Sequence, residues 1–598
     1  MRTTKYLIAF SFLLGFGLQV QSQNQTGESQ MDKMWGDTTS GSDEALTHRS
    51  KLFDQSNFGM FVHFGIYSQL AGVWNDTTYY GIGEWLMNPR VANIAPKEYV
   101  VKAKDFNPEL FDAHAIAKLA KEAGMKYIIL GAKHHDGFAL FDSKTDTFDV
   151  MDASPLKRDV FKELATAARE AGLGFGFYYS HYQDWTRPGG HGGPKTNADG
   201  SPATFEDYFY KKCLPQVREL CSNYGPMDFV WFDTPGNMKK ELVVELAAEV
   251  RKLQPNAMLC SRIGYGMGDY VSKGDMEVPL KNKAGLWETC DTNNDSWGYV
   301  WYDKNFKTPR EILERLVATV ARGGTYLFNI GPMGTGEVPA TAVEFLKDAG
   351  AWLARYPEVV YEAGSSPWGH AMPWGDMTTA GNNLYLTVFD WPRDGKLYLP
   401  DLDGRIVSAK GLSPDKTTKI SWQKQNGWAV LDVPFRPFDL PASVIQLKLE
   451  KPLKHIADTN CIGIHPNMEN DLPVDFATVT GADQSESKWM EKFGEWKHIV
   501  RVNNWEKEGK AEWKITVFEP GYYRVNLVYA GTGRLVWRVE TDGSTYIQNQ
   551  QGATEKCEAY PIGLIKFDQA GIHKIAVSLI DGDPKSSSLK SLQLIPVN

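Results

Sequence analysis

The chain has 598 residues, too many for one hydrophobic core, and at roughly 100 to 200 residues per domain this predicts about three or four domains. Hydrophobic residues at 42%, charged at 23% and aromatic at 12% exclude a largely disordered, collagenous or multi-span membrane chain. With 64 Lys+Arg against 73 Asp+Glu the net charge is -9, which argues against an electrostatic nucleic-acid footprint.

In chain order, residues 1–23 place Arg2 and Lys5 before the apolar run Tyr6 to Leu18 and then small or polar residues, the pattern of a cleaved secretory signal. That run is short for a membrane span and no later stretch reaches about 20 apolar residues, so no membrane insertion is expected. No cysteine lies near the expected cleavage site, which argues against a lipid anchor. Delivery to the periplasm is the expectation, ahead of release from the cell. Residues 24–44 read as a polar linker.

From 45 to 356 short apolar runs alternate with amphipathic stretches. The expected strands are FGMFVHFG (58–65), KYIILGAKHH (126–135), GFGFYYS (174–180), DFVWFD (228–233), AMLCSRIG (257–264), GLWETC (285–290) and TYLFNIGP (325–332). Between most of them lie helical patterns such as PELFDAHAIAKLAKEAGM and TPREILERLVATVARGG, several stopping at glycine. Seven or eight β-then-α units, with no Gly-rich phosphate loop after the first strand, predict a parallel (β/α)8-like barrel over an open doubly wound sheet. Residues 357–450 change to period-2 runs such as NLYLTVFDW and ASVIQLKLE, which predict a β-sandwich. Residues 456–598 repeat that rhythm and predict a jelly-roll-like all-β module, which either contacts carbohydrate or extends the scaffold. The six cysteines show no CxxC pair and no zinc spacing, so they read as structural thiols.

Catalytic groups of a parallel barrel belong at the C-terminal ends of its strands, so polar residues that close an apolar run mark the site. His63 closes the first run, His134 and His135 the second, Tyr178 and Tyr179 the third, Asp233 the fourth and Arg262 the fifth. Period-2 alternation puts Phe229, Trp231 and Asp233 on one face, with a carboxylate beside an indole. The bland reading of Asp233 is a cap for a helix starting near Met238. Adjacent His134 and His135 both reach one pocket only if the strand end is irregular. Their alternative is a metal site, although no HxH or Glu/Asp set with ligand spacing accompanies them.

MFVHFGIYS, GEWLMN, KHHDGFALFDS, a strand ending in WFD, and WETC with SWGY followed by LVATVARGGTYLFNIGPMGTG together resemble the α-L-fucosidases of glycoside hydrolase family 29. The resemblance covers about residues 45 to 445. It implies exo-hydrolysis of α-L-fucosides of glycans or oligosaccharides with retention, on an incomplete or distorted barrel, without a metal or organic cofactor. By position Asp233 matches the family nucleophile. His63, Glu84, Trp85, His134, His135, one of Tyr178 or Tyr179, Trp231 and Arg262 match fucose-contacting positions. The acid/base varies in this family. Glu277, before Val278 and Pro279, is the first choice; Glu288 of WETC is the rival, as acid/base or as a supporting group in the binding site, and Asp269 and Asp275 stay open. The competing readings are a catalytically silent fucose lectin on the same barrel and a metal-dependent hydrolase using His63, His134, His135 and Asp233.

Overall fold

The computed structural model describes residues 51–597, apart from 273, 493–494, 543–545 and 554–555. The expected signal and linker lie outside the described residues. Eight parallel strands form one sheet: β1 (Phe58–Val62), β2 (Tyr127–Lys133), β3 (Gly174–Tyr179), β4 (Phe229–Phe232), β5 (Met258–Leu259), β6 (Val271–Ser272), β7 (Trp287–Thr292) and β8 (Thr325–Ile330). Their order is β5-β4-β3-β2-β1-β8-β7-β6, and one parallel bridge, Cys260 with Tyr270, joins the two ends. This is the expected barrel in incomplete form, since β5 and β6 have two residues each and, among the described residues, no α-helix follows either one before the next strand. β6 was not among the expected strands: two residues inside RIGYGMGDYVSKGDMEVP carry no periodic signal.

The barrel strands are apolar on both faces because both are covered. Phe61, Ile129, Phe229, Trp231 and Leu327 meet inside the barrel, while their neighbours Met60, Ile128, Leu130, Val230 and Phe328 pack outward against helices. Those helices are α1 (Ala113–Glu122), α2 (Val160–Glu170), α3 (Leu214–Asn223), α4 (Lys240–Leu253), α5 (Pro309–Ala321) and α6 (Ala340–Arg355). Their starts follow from local chemistry. Asp112 accepts from the Ala115 amide, Asp159 accepts from the Lys162 amide, and Thr308 with Glu311 forms a reciprocal capping box ahead of α5. The helix once expected near Met238 begins at Lys240, seven residues after Asp233, so Asp233 is not its cap.

Beyond the barrel the chain is all β. A five-stranded sheet including Asn383–Val388 and Ser443–Leu449 faces a three-stranded sheet including Lys396–Leu399 and Trp428–Asp432, around a core with Leu386, Leu431 and Ile445. Two six-stranded sheets follow, packed around Trp513, Leu527, Trp537 and Leu592. The first unit is fixed to the barrel helices by Arg322, which makes paired 3.0 Å bonds to the Asp376 carboxylate, and by the Trp352 indole donating to the Ala442 carbonyl at 2.8 Å. The last unit packs Phe518 against Tyr398 and Trp428, and Lys281 donates to the Asp475 carbonyl at 2.6 Å. All six cysteines are free thiols. No described helix is long and apolar enough to cross a membrane.

Candidate active site

Asp233 follows the last residue of β4 at the C-terminal mouth of the barrel. Three groups converge on its carboxylate. The Tyr178 hydroxyl donates to Oδ2 at 3.0 Å, the Arg262 guanidinium donates to Oδ1 at 3.2 Å, and His135 Nε2 lies 3.4 Å from Oδ2. Burial pushes this carboxyl up, but Arg262, His135 and Tyr178 together pull it below the ordinary aspartate range. The group is therefore ionised at neutral pH and keeps 14% of its side chain open to solvent.

Aromatic side chains wall this carboxylate. Trp231 stacks on Tyr178 at 5.5 Å and carries the Arg262 guanidinium 4.8 Å above its ring, and Phe61 lies 5.2 Å away. The Trp231 indole donates to Glu288 Oε1 at 3.0 Å, so Glu288 is tied to the wall from below. Burial pushes Glu288 up to about 7.

Both histidines of the KHHDGF run enter the site, because the β2–β3 register slips between Gly131 and Lys133 and breaks the alternation. His134 stacks on Tyr178 at 5.1 Å and its ring lies 4.3 Å from that of His135. The Ser180 hydroxyl lies 2.6 Å from His135 Nδ1 and 2.9 Å from the Gln183 carbonyl. His63 Nδ1 donates to the Asn329 amide oxygen at 2.8 Å, since that amide's nitrogen is committed to Thr292 and Trp297. Burial lowers His63 to about 4 and His135 to about 3, and holds His134 well below the usual range. A neutral His63 with its proton on Nδ1 keeps Nε2 as an acceptor for a hydroxyl.

Glu84 is buried where two rim segments meet and accepts from the Gly298 amide at 2.7 Å; burial pushes it up to about 8. Trp85 beside it sets its ring edge-on to His135 at 5.4 Å. Of the two tyrosines, Tyr178 belongs to the site and Tyr179 does not. Tyr179 lies on the opposite face of β3, where its hydroxyl donates to Gln216 at 2.8 Å and its ring sits under Lys133. Alternation along the strand forces that separation.

The acidic candidates part company. Asp269 is paired with Arg251 and accepts from the Leu259 amide, on the outside of the barrel wall. Asp275 accepts from the second terminal nitrogen of Arg262 at 2.5 Å, so one guanidinium carries Asp233 and Asp275 together. Burial, with Asp233 nearby, pushes Asp275 above the usual range against the pull of Arg262. The Glu277 carboxylate turns toward the Gly274 backbone. Sequence reasoning did not single out Asn329, Ser180 or Trp297. Asn329 near the end of β8 was findable by the rule that found the others; Trp297, 5.3 Å from His63, sits in the SWGY loop, which has no strand or helix period to mark the residue.

Among the described residues no group of three or more His, Cys, Asp or Glu side chains is arranged to hold a metal ion. The sequence profile described as Alpha-L-fucosidase matches residues 22–358. An alpha-L-fucosidase of Dictyostelium discoideum is 28% identical over 433 residues, covering 66% of this chain and 91% of that protein. The plasma alpha-L-fucosidase of Rattus norvegicus is 30% identical over 375 residues, covering 58% and 79%. Among solved structures, the alpha-L-fucosidase of Vibrio sp. strain EJY3 superposes with a TM-score of 0.75 at 28% identity, covering 93% of this chain and 98% of that one. Isoenzyme 1 of Paenibacillus thiaminolyticus gives 0.61 at 32% identity, covering 68% and 100%. With its profile match over more than half its length and its barrel mouth built around Asp233, this chain belongs to the α-L-fucosidase family of glycoside hydrolases.

Proposed function

We propose that this α-L-fucosidase removes terminal α-L-fucose from glycans or oligosaccharides with retention, through two displacements in which Asp233 is the nucleophile. The observation that carries the reading is the Asp233 carboxylate held ionised by Arg262, His135 and Tyr178 at the mouth of an aromatic-walled barrel. A lone carboxylate in such surroundings would protonate, and a protonated acid is no nucleophile.

A retaining enzyme needs a second carboxyl group, which first protonates the departing oxygen and then deprotonates water. The sequence favours Glu277. What supports Asp275 instead is that it shares Arg262 with Asp233, is buried, and is pushed up, so that it holds a proton more readily than an exposed carboxyl. In the first step Asp233 attacks the anomeric carbon as the Asp275 proton passes to the glycosidic oxygen. In the second, Asp275 takes a proton from water, which attacks the same carbon and frees Asp233. His63, His134, Glu84 and Trp85 supply the hydroxyl-binding wall, and Trp231 with Phe61 offers an apolar surface to the C5 methyl of fucose. A methyl contact of this kind discriminates by about 1 to 3 kcal/mol against a sugar with a hydroxymethyl group.

The first sugar released is expected to be the α-anomer, followed by proton NMR during early turnover; a β-anomer appearing first would rule out the double displacement. Asp233→Ala is expected to lose nearly all hydrolysis and to regain turnover of an aryl fucoside with azide. The acid/base is assigned by leaving group: Asp275→Ala should lose about 10²- to 10⁴-fold on an oligosaccharide and far less on a dinitrophenyl fucoside. If Glu277→Ala shows that pattern and Asp275→Ala does not, Glu277 takes the role. We further propose periplasmic delivery on the Arg2 and Lys5 leader, with no contact to nucleic acid. Activity recovered by osmotic shock would support it, and activity confined to the cytosol would refute it.

A further inference from the structure

The loop that carries Asp275 lies between the two-residue strand β6 and β7, with no helix among its described residues, so nothing in the helical layer sets its path by default. It is nevertheless tied down at consecutive backbone positions. The Met276 amide donates to the Cys290 carbonyl at 2.8 Å, and the Thr289 hydroxyl donates to the Glu277 carbonyl at 2.8 Å. The Met276 carbonyl accepts from Arg315 Nη2 at 2.5 Å. Met276 has φ of 61°, a left-handed conformation that a non-glycine residue holds only where its surroundings impose it.

Arg315 comes from α5, on the far side of the strand wall from the substrate. Its Nε is bonded to Asp291 Oδ2. Asp291 is fully buried and also meets the Tyr326 hydroxyl at 2.7 Å and Lys307 at 3.2 Å. The guanidinium is thus anchored through Nε and reaches the Asp275 loop through Nη2, without bonding to Asp233, Arg262 or Asp275 itself.

We propose that Arg315 is a positioning residue for the proton-donating carboxyl. By holding the Met276 carbonyl it fixes the left-handed turn that presents Asp275 to Arg262 and to the departing oxygen. The inference rests on Asp275 being the acid/base. It requires arginine, because a lysine keeps the charge beside Asp291 and has no second edge with which to reach the carbonyl.

A loop displaced by about 1 Å loses proton transfer on the order of 10²-fold, yet leaves attack by Asp233 in place. Arg315→Lys should therefore behave as a weaker copy of Asp275→Ala. The expected result is a fall in kcat/KM of about 10- to 100-fold on a fucosylated oligosaccharide, with a fall of less than about 3-fold on a dinitrophenyl fucoside. Thr289→Val should show the same asymmetry at smaller size, and Thr289→Ser should restore it. Equal losses on both substrates in Arg315→Lys, beside a steep contrast in Asp275→Ala, would make Arg315 a purely structural residue and overturn the proposal while leaving the acid/base reading intact. Equal losses in Asp275→Ala would remove that reading and this proposal together. Should Arg315→Lys fail to fold, a Thr289→Val variant without the asymmetry would overturn the proposal by itself.

Discussion

At the scale of single residues, the site works by spending neutral groups on one carboxylate. His63, His134 and His135 are all held below the usual imidazole range by burial, so Arg262 is the permanent positive charge that faces Asp233. Tyr178 adds a neutral hydrogen bond to the same carboxylate. That bond lowers the Asp233 pKa, so its loss raises it, and the ionised form that the proposed attack requires is then reached only at higher pH. Tyr178→Phe is expected to move the acid limb of kcat/KM upward by roughly one pH unit, the size of one hydrogen bond to a charged group. An unmoved acid limb would mean that another group sets it. Most of these residues were legible because each closes an apolar strand at a place where packing gives no reason for a polar group. Tyr178 and Tyr179 were not separable, since both faces of β3 are buried and apolar. Asp275 ranked behind Glu277 for a different reason: what favours it is sharing Arg262 with Asp233, and a contact between residues 42 and 13 positions away leaves no periodic trace.

At the scale of elements, the long helices announced themselves through apolar periodicity and glycine stops, while the caps at Asp112, Asp159 and Thr308 emerge only from the structure. The stretch FEDYFYKKCLPQVRELCSNYG reads as one helix but is built from Phe205–Tyr208, a wider turn over Phe209–Cys213, and α3. Pro215 lacks an amide proton and cannot bond back into the preceding turn, which fits the change in winding just before it. The loops around Glu84 and Trp297 carry no period at all. Glu84 was reached only through the resemblance, and the bond from Gly298 that fixes it joins segments 214 positions apart.

At the scale of the molecule, the two β units are joined to the barrel by buried contacts and do not simply trail from it. Removing residues 456–598 would uncover Trp428 and Tyr398, which Phe518 now covers, and would free Lys281 from the Asp475 carbonyl. Every group placed around Asp233 lies earlier in the chain. The truncated protein is expected to keep most of its kcat/KM on a small aryl fucoside at low temperature while unfolding at a lower temperature in a thermal melt. Strong loss of catalysis in a well-folded truncation would show that the last unit completes the site.

The joint between β5 and β6, closed by the single pair Cys260 and Tyr270, has a consequence for how such a barrel changes over generations. Elsewhere each strand is locked to its helix, and an inserted or deleted residue would shift a whole packed face. Between Leu259 and Trp287 there is no such helix to shift, so chain length there is free to drift as long as a few backbone anchors hold. Asp233, the proposed nucleophile, stands on the locked part of the cylinder, and Asp275, the proposed proton donor, on the free part. On that proposed reading, one half of the reaction rests on a coordinate that the helical layer fixes, and the other on a stretch whose length that layer does not set.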